Sequence, residues 1–236
     1  MGKFAESKKL KAFTLSYDDG ITQDIRLIEL LNKYGLKSTF NLNSGLLGQP
    51  GILDRVGLRI SHYKINPADV KYVYEGHEIA AHTLTHPCLP NVSDGEVIRQ
   101  VEEDRLALSE LAGYEVVGMA YPGVGIGDDT RVPALIKNHT GIKYVRSVEG
   151  TDSFDPQTDL YRFRPNVYNI LEMDRMFQMG KRFLELETDK PQIFYTWGHS
   201  FEMDYDPTYW IRLEEFFEMM AGRDDIFYGT NAEVLL

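Results

Sequence analysis

The feature that most constrains this chain is a repeated alternation of short apolar runs with longer amphipathic stretches. Ala12–Leu15 reads as a strand, and Thr22–Tyr34 as a helix with Ile25, Ile28 and Leu31 on one side. Thr22 is placed to cap that helix and Gly35 to stop it. Ser38–Leu42 and His77–Ala81 read as further strands, and Asp94–Leu111 as a long amphipathic helix. Val116–Ala120, Lys143–Ser147, Tyr161–Arg164, Ile193–Trp197 and Ile226–Tyr228 are strand candidates, and Met173–Leu186 and Pro207–Met220 helix candidates. Strands alternating with helices pair in parallel through right-handed crossovers. Roughly seven such repeats without a dinucleotide-binding fingerprint favour an α/β barrel, closed or nearly so, over an open sheet. Ser44–Pro67 breaks the alternation and reads as an inserted loop, of the kind that forms the rim of a site. No internal repeat or linker appears, so one domain over residues 1–236 is expected.

The chain of 236 residues is long enough to bury a core without disulfides, and with only Cys88 it can form none within itself. Cys88 reads as a small buried apolar residue. A net charge of -11 argues against nucleic acid and anionic membranes as partners. The opening stretch Met1–Lys11 is polar, and no run approaches the length of a membrane span, which reads as a cytoplasmic protein. Oligomeric state leaves no signature.

Two segments carry the chemistry. Ser16-Tyr17-Asp18-Asp19-Gly20 sets adjacent carboxylates at the end of an apolar run. Two like charges so close favour a cation between them, and the turn at Gly20 lets both reach one cavity. His82-Thr83-Leu84-Thr85-His86 sets two imidazoles four residues apart, on one face if the segment makes a helical turn. One carboxylate and two imidazoles make a facial ligand set with positions left for water and substrate, and the second carboxylate is free to accept a proton. His199, after Gly198 at the end of a late strand, is placed to act as a general acid. His62, His77 and His139 read as ordinary structural histidines.

Together these segments resemble the polysaccharide deacetylases, the family 4-like carbohydrate esterases that share a nodulation-protein-B-like domain. Ser16–Gly20 is similar to the family's Thr-Phe-Asp-Asp-Gly motif, and Gly76–His86 to its histidine motif. Ala120-Tyr121-Pro122-Gly123 resembles its third motif, the strand ending at His199 its last, and Lys37–Asn41 its second strand. The resemblance implies a distorted (β/α)7 barrel and a divalent metal, usually zinc, with cobalt or another divalent ion as alternatives. It implies that Asp19, His82 and His86 bind the metal, that Asp18 is the catalytic base and that His199 is the acid. The implied reaction removes acetyl groups from an N-acetylated sugar or oligosaccharide. A backbone N–H near Tyr121, Pro122 or Gly123 is the expected oxyanion donor.

The resemblance has gaps. The third-motif arginine that holds the base is missing from Met119–Pro122; Arg146, at the end of the next strand, is the first substitute and Arg164 the second. The fourth motif is unrecognisable, with Asp159 or Asp155 as stand-ins. Trp197 and Tyr121 are expected to stack on a sugar ring, and Glu202 to orient His199 or touch substrate. Two other readings compete: a hydrolase of another small or cyclic amide, allantoinase- or deformylase-like, and a catalytically silent carbohydrate-binding relative. The presence of both Asp18 and His199 counts against the silent one.

Overall fold

A computed structural model describes residues 2–55 and 57–236. Strands β1 (Lys11–Asp18), β2 (Ser38–Leu42), β5 (Glu78–Ala81), β6 (Gly118–Ala120), β7 (Tyr144–Arg146), β8 (Val167–Tyr168) and β9 (Gln192–Gly198) form one parallel sheet in the order β7-β6-β5-β2-β1-β9-β8. β10 (Ile226–Tyr228) pairs with the first half of β1. The sheet curls until its edges meet. Phe163 bridges Arg146 of β7, and a few residues later the same segment joins β9 through Val167↔Thr196. The bonds from Phe163 N–H to Val145 O (3.0 Å) and from Asn166 N–H to Tyr195 O (2.7 Å) complete this seam. The ring of β1, β2, β5, β6, β7, residues 163–168 and β9 is a distorted (β/α)7 barrel.

Helices α2 (Asp24–Lys33), α4 (Asp94–Ala112), α5 (Arg131–His139), α6 (Met173–Leu184) and α7 (Pro207–Met220) surround the ring; α1 (Lys3–Glu6), α3 (Val70–Val73) and α8 (Asn231–Leu235) are short. β1 is buried throughout, yet its residues alternate in chemistry. Phe13, Leu15 and Tyr17 join the apolar core with Leu27, Leu31 and Phe216 of the helices. Thr14, Ser16 and Asp18 point the other way, into a polar interior where Asn231 bonds Thr14 and Asn41 bonds Ser16 and Asp18. Asp18 thus sits at the carboxyl end of β1, at the barrel end where parallel folds gather their chemistry.

Several boundaries differ from expectation. The buried face of α2 is Leu27, Ile28 and Leu31, while Ile25 is 46% exposed. Thr22 makes no cap; the helix begins after Gln23. Tyr161–Arg164 is not a strand but a 3-10 turn, Leu160–Arg162, leading into the Phe163 bridge. The insert Ser44–Pro67 contains an antiparallel hairpin, β3 (Ile52–Arg55) with β4 (Leu58–Ser61). It docks on the barrel mouth through Ile60 against Ile21 and Phe201, where each buried side chain contributes about 1.5–3 kcal/mol. Cys88 is exposed, because it lies in the loop before a 3-10 turn rather than in the core. No described helix is long and apolar enough to cross a membrane.

Candidate functional site

A cavity of about 670 Å³ opens at the carboxyl ends of the strands. Asp18, Asp19, His82, His86 and His199 all line it, as do Trp197, Glu202 and Gly123. One ligand atom each from Asp19, His82 and His86 lies within 4.8 Å of the others. His86 Nε2 is 4.0 Å from Asp19 Oδ1.

The histidine segment is not the helical turn expected from its spacing. It is a loop in which Thr83 (φ 70°) and His86 (φ 60°) take left-handed backbone, as does Asp19 (φ 84°). Such backbone costs about 1–3 kcal/mol per residue and persists only where surroundings impose it. Here Asn43 Nδ2 donates to the carbonyls of His82 (2.7 Å) and Thr83 (2.9 Å). Thr83 Oγ1 accepts from His86 N–H (3.1 Å), and Asp104, on α4, accepts from His82 N–H (2.9 Å). Strain at three residues of one site, held by dedicated bonds, aims the two imidazoles.

Two observations test whether the set fits a divalent ion. His82 Nδ1–H donates to Ala120 O (2.9 Å), which leaves Nε2 as the lone-pair nitrogen, and that atom is buried without a partner. Burial also pushes the His82 pKa down to about 4, against the pull of Asp18, so the ring is neutral at pH 7. A buried, neutral, unpartnered imidazole nitrogen beside two carboxylates is a metal ligand's state. Ligands bound at about 2.0–2.2 Å to one zinc ion lie up to about 4 Å apart, so small side-chain adjustments suffice.

Asp18 is 2% exposed. Its Oδ2 accepts from Arg146 Nη2 at 2.5 Å and its Oδ1 from Asn41 Nδ2 at 2.7 Å. Burial favours the neutral acid, but Arg146, with His82 and His199, holds Asp18 below the ordinary carboxylate range. Arg146 is fully buried, at 0% exposure, and stacks on Trp197 at 4.0 Å. So the charge missing from the third motif comes from the neighbouring strand. Breaking such a buried pair from one side typically costs about 3–5 kcal/mol.

His199 has two partners at Nδ1: Tyr168 OH at 3.0 Å and the Glu202 carboxylate at 3.4 Å. Tyr168 also donates to Glu202 Oε1. Burial opposes the imidazolium, but Glu202 outweighs it and raises the His199 pKa to about 9. The charged ring therefore contributes stability that is complete below about pH 6.5 and lost as pH rises through about 9. In the metal-free protein, Glu202→Gln is expected to move the His199 titration from about 9 back towards 6.5, read by NMR of the ring protons. An unmoved titration would deny Glu202 that role.

The structure does not bring every expected residue to the cavity. Tyr121 is fully buried; its hydroxyl donates to Tyr161 O (2.9 Å), so it has no face for a sugar. Its N–H donates to Arg146 O (3.1 Å) and cannot serve an oxyanion, and Pro122 has no N–H to offer. Gly123 alone of the three lines the cavity, beside His86. Trp197 lines it too, but Tyr168 stacks on it at 4.3 Å and 13° while Arg146 packs on it at 4.0 Å. Two planar groups that close must take opposite faces, which leaves no face for a pyranose. Arg164 bonds Gly150 O and stays exposed. Asp159 caps a 3-10 turn and Asp155 pairs with Lys190 at the surface, so neither replaces the fourth motif. His62 is no bystander: its Nε2–H donates to Asp19 Oδ2 at 3.1 Å. Asn41, Asn43, Lys64 and Tyr168 also escaped the sequence reading. Asn41 was legible in principle, since it pairs with Asp18 near the end of the neighbouring strand β2.

Residues 5–145 match the family described as polysaccharide deacetylase. That is more than half of the chain, and the chain belongs to this family. It is 26% identical over 120 residues to the peptidoglycan-N-acetylglucosamine deacetylase PgdA of Listeria monocytogenes, across 50% of this chain and 22% of that protein. The match therefore covers less than a quarter of the relative's length. A family 4 carbohydrate esterase from Streptomyces lividans, solved with acetate, superposes with a TM-score of 0.62 at 13% identity over 95% of both chains. A family 4 pseudoenzyme from Bacillus anthracis superposes with a TM-score of 0.59 at 16% identity, over 98% of this chain and 66% of its own. At these identities the two structures establish the shared fold.

Proposed function

We propose that this protein is a metal-dependent carbohydrate N-deacetylase, a hydrolase that splits an acetamide on a sugar into acetate and an amine. The observation that carries the reading is the convergence of Asp19, His82 and His86 at one point, with the ionised Asp18 beside it. Asp19, His82 and His86 would hold the ion, zinc by donor type. Bound there, it supplies Lewis acidity, lowering the pKa of water to about 7 and polarising a carbonyl oxygen.

The remaining work falls to the chain's own groups. Asp18, kept ionised by Arg146 and fixed by Asn41, accepts the proton of the attacking water. Gly123, which lines the cavity and has an N–H, would supply the oxyanion donor. His199, kept protonated by Glu202 and bonded to Tyr168, delivers a proton to the leaving nitrogen. Without that proton the amine is a poor leaving group. The cavity of about 670 Å³ suits a short sugar segment.

The pseudoenzyme relative makes a silent site worth weighing, but here Asp18 and His199 are both in place and both held by dedicated partners. A binding-only protein has no use for a charged base and a charged acid. The deciding experiment is acetate release from N-acetylglucosamine oligomers, peptidoglycan fragments and small amides, with zinc, with cobalt and after chelation. Acetate from an N-acetylated sugar, lost on chelation and restored by metal, is the expected result. Turnover of a small or cyclic amide alone would move the substrate assignment, and no turnover of any panel member would favour the silent reading.

A further inference from the structure

We propose that His62, carried by the insert 44–67, is a positioning residue of the metal site that holds the Asp19 carboxylate in its ligating orientation. This rests on the reading that Asp19, His82 and His86 bind a divalent ion. The barrel holds Asp19 by its backbone, through Asp19 N–H to Asn41 O (3.0 Å), while the hydrogen bond to its carboxylate comes from the insert. Asp19 follows the last residue of β1, its backbone is left-handed, and a carboxylate rotates easily about its last bond. Its Oδ1 faces His86 (4.0 Å), and its Oδ2 accepts from His62 Nε2–H (3.1 Å). That bond anchors Oδ2 and so sets the rotation, turning Oδ1, which also lies 3.4 Å from Lys64 Nζ, towards the imidazoles.

The insert is built to deliver that bond. Residues 62–65 run extended between two partners. On one side His62 N–H donates to Gly51 O (2.9 Å) and Lys64 N–H to Gln49 O (3.0 Å). On the other, Thr22 N–H donates to Tyr63 O (2.8 Å) and Ile65 N–H to Gly20 O (2.9 Å), within the turn that follows Asp19. In extended chain His62 and Lys64 share a face. Lys64 Nζ accordingly donates to the Asp19 carbonyl (2.7 Å), so backbone and side chain of one ligand are held from one segment. The His62 ring is itself fixed edge-on against Phe201 at 5.0 Å. Outer partners of this kind orient ligands, and their loss typically lowers metal affinity about 10–100-fold.

The test is titration of the metal-free protein with Co2+, followed by calorimetry and by the cobalt absorption spectrum. It compares the unaltered chain, His62→Ala, His62→Gln and Arg59→Ala. Arg59 lies on the same hairpin and its side chain is 74% exposed. Thermal unfolding of each metal-free form reports the fold. His62→Ala is expected to bind about 10–100-fold more weakly with an altered spectrum. His62→Gln, which keeps an N–H donor, should recover most of the loss, and Arg59→Ala should match the unaltered chain. Unchanged affinity in His62→Ala, beside tight binding by the unaltered chain, would overturn the positioning role and leave the metal site standing. Equal weakening in Arg59→Ala would assign the effect to the hairpin and also overturn it. No binding by the unaltered chain would remove the metal reading, and the positioning role with it.

Discussion

Asp18→Asn is expected to lower kcat for acetamide hydrolysis by about 10²–10⁴-fold, the usual worth of a positioned general base. The amide keeps the shape of the carboxylate but cannot accept a proton at neutral pH. KM should change little, because Asp18 is engaged by Arg146 and Asn41 rather than aimed at binding. The substitution has a structural cost as well. One of the two contacts must become donor against donor, since Arg146 and Asn41 both donate to the native carboxylate. An unsatisfied buried group costs about 1–3 kcal/mol, so thermal unfolding must be measured beside the kinetics. A folded variant with near-native turnover would remove Asp18 from the base role.

The second large effect concerns the ion. A ligand that binds only the folded state adds RT ln(1 + [L]/Kd), about 4.1 kcal/mol when free metal is 1,000-fold above Kd. For a domain of this length, 1 kcal/mol moves Tm by about 2–4 °C, so zinc should raise it by about 8–16 °C over the chelated protein. His82→Ala should abolish that shift, because it removes the buried Nε2 that has no other partner. It also leaves Ala120 O without its donor, so the variant's own chelated Tm is the reference. A zinc-dependent rise retained in full by His82→Ala would place the ion elsewhere.

Much of this was legible in the sequence because the chemistry sits where strands end. Asp18, Asp19, His82, His86 and His199 each follow an apolar run, and a parallel barrel delivers all such ends to one face. Arg146 could be reached the same way, as the last residue of a strand. Tyr121 shows the limit of that reasoning. It too follows a strand, but one residue of register decides whether a side chain faces the cavity or the core, and its hydroxyl ends on Tyr161 O. Trp197 is a related case: its position at the cavity is legible, but Tyr168 and Arg146, which cover its ring, come from elements far away in the chain. Tyr168 belongs to a two-residue strand too short to give any periodicity. His62 lies in a segment whose alternation fails, and only the pairing of residues 62–65 with the turn after Asp19 shows where its ring goes.

The most direct measurement is anomalous diffraction from crystals grown with zinc, recorded on both sides of the zinc absorption edge. One strong peak is expected at coordinating distance from Asp19, His82 and His86, with Asp18 alongside. A crystal saturated with zinc that shows no peak there, or shows one only at the surface, would contradict a metal site at these residues.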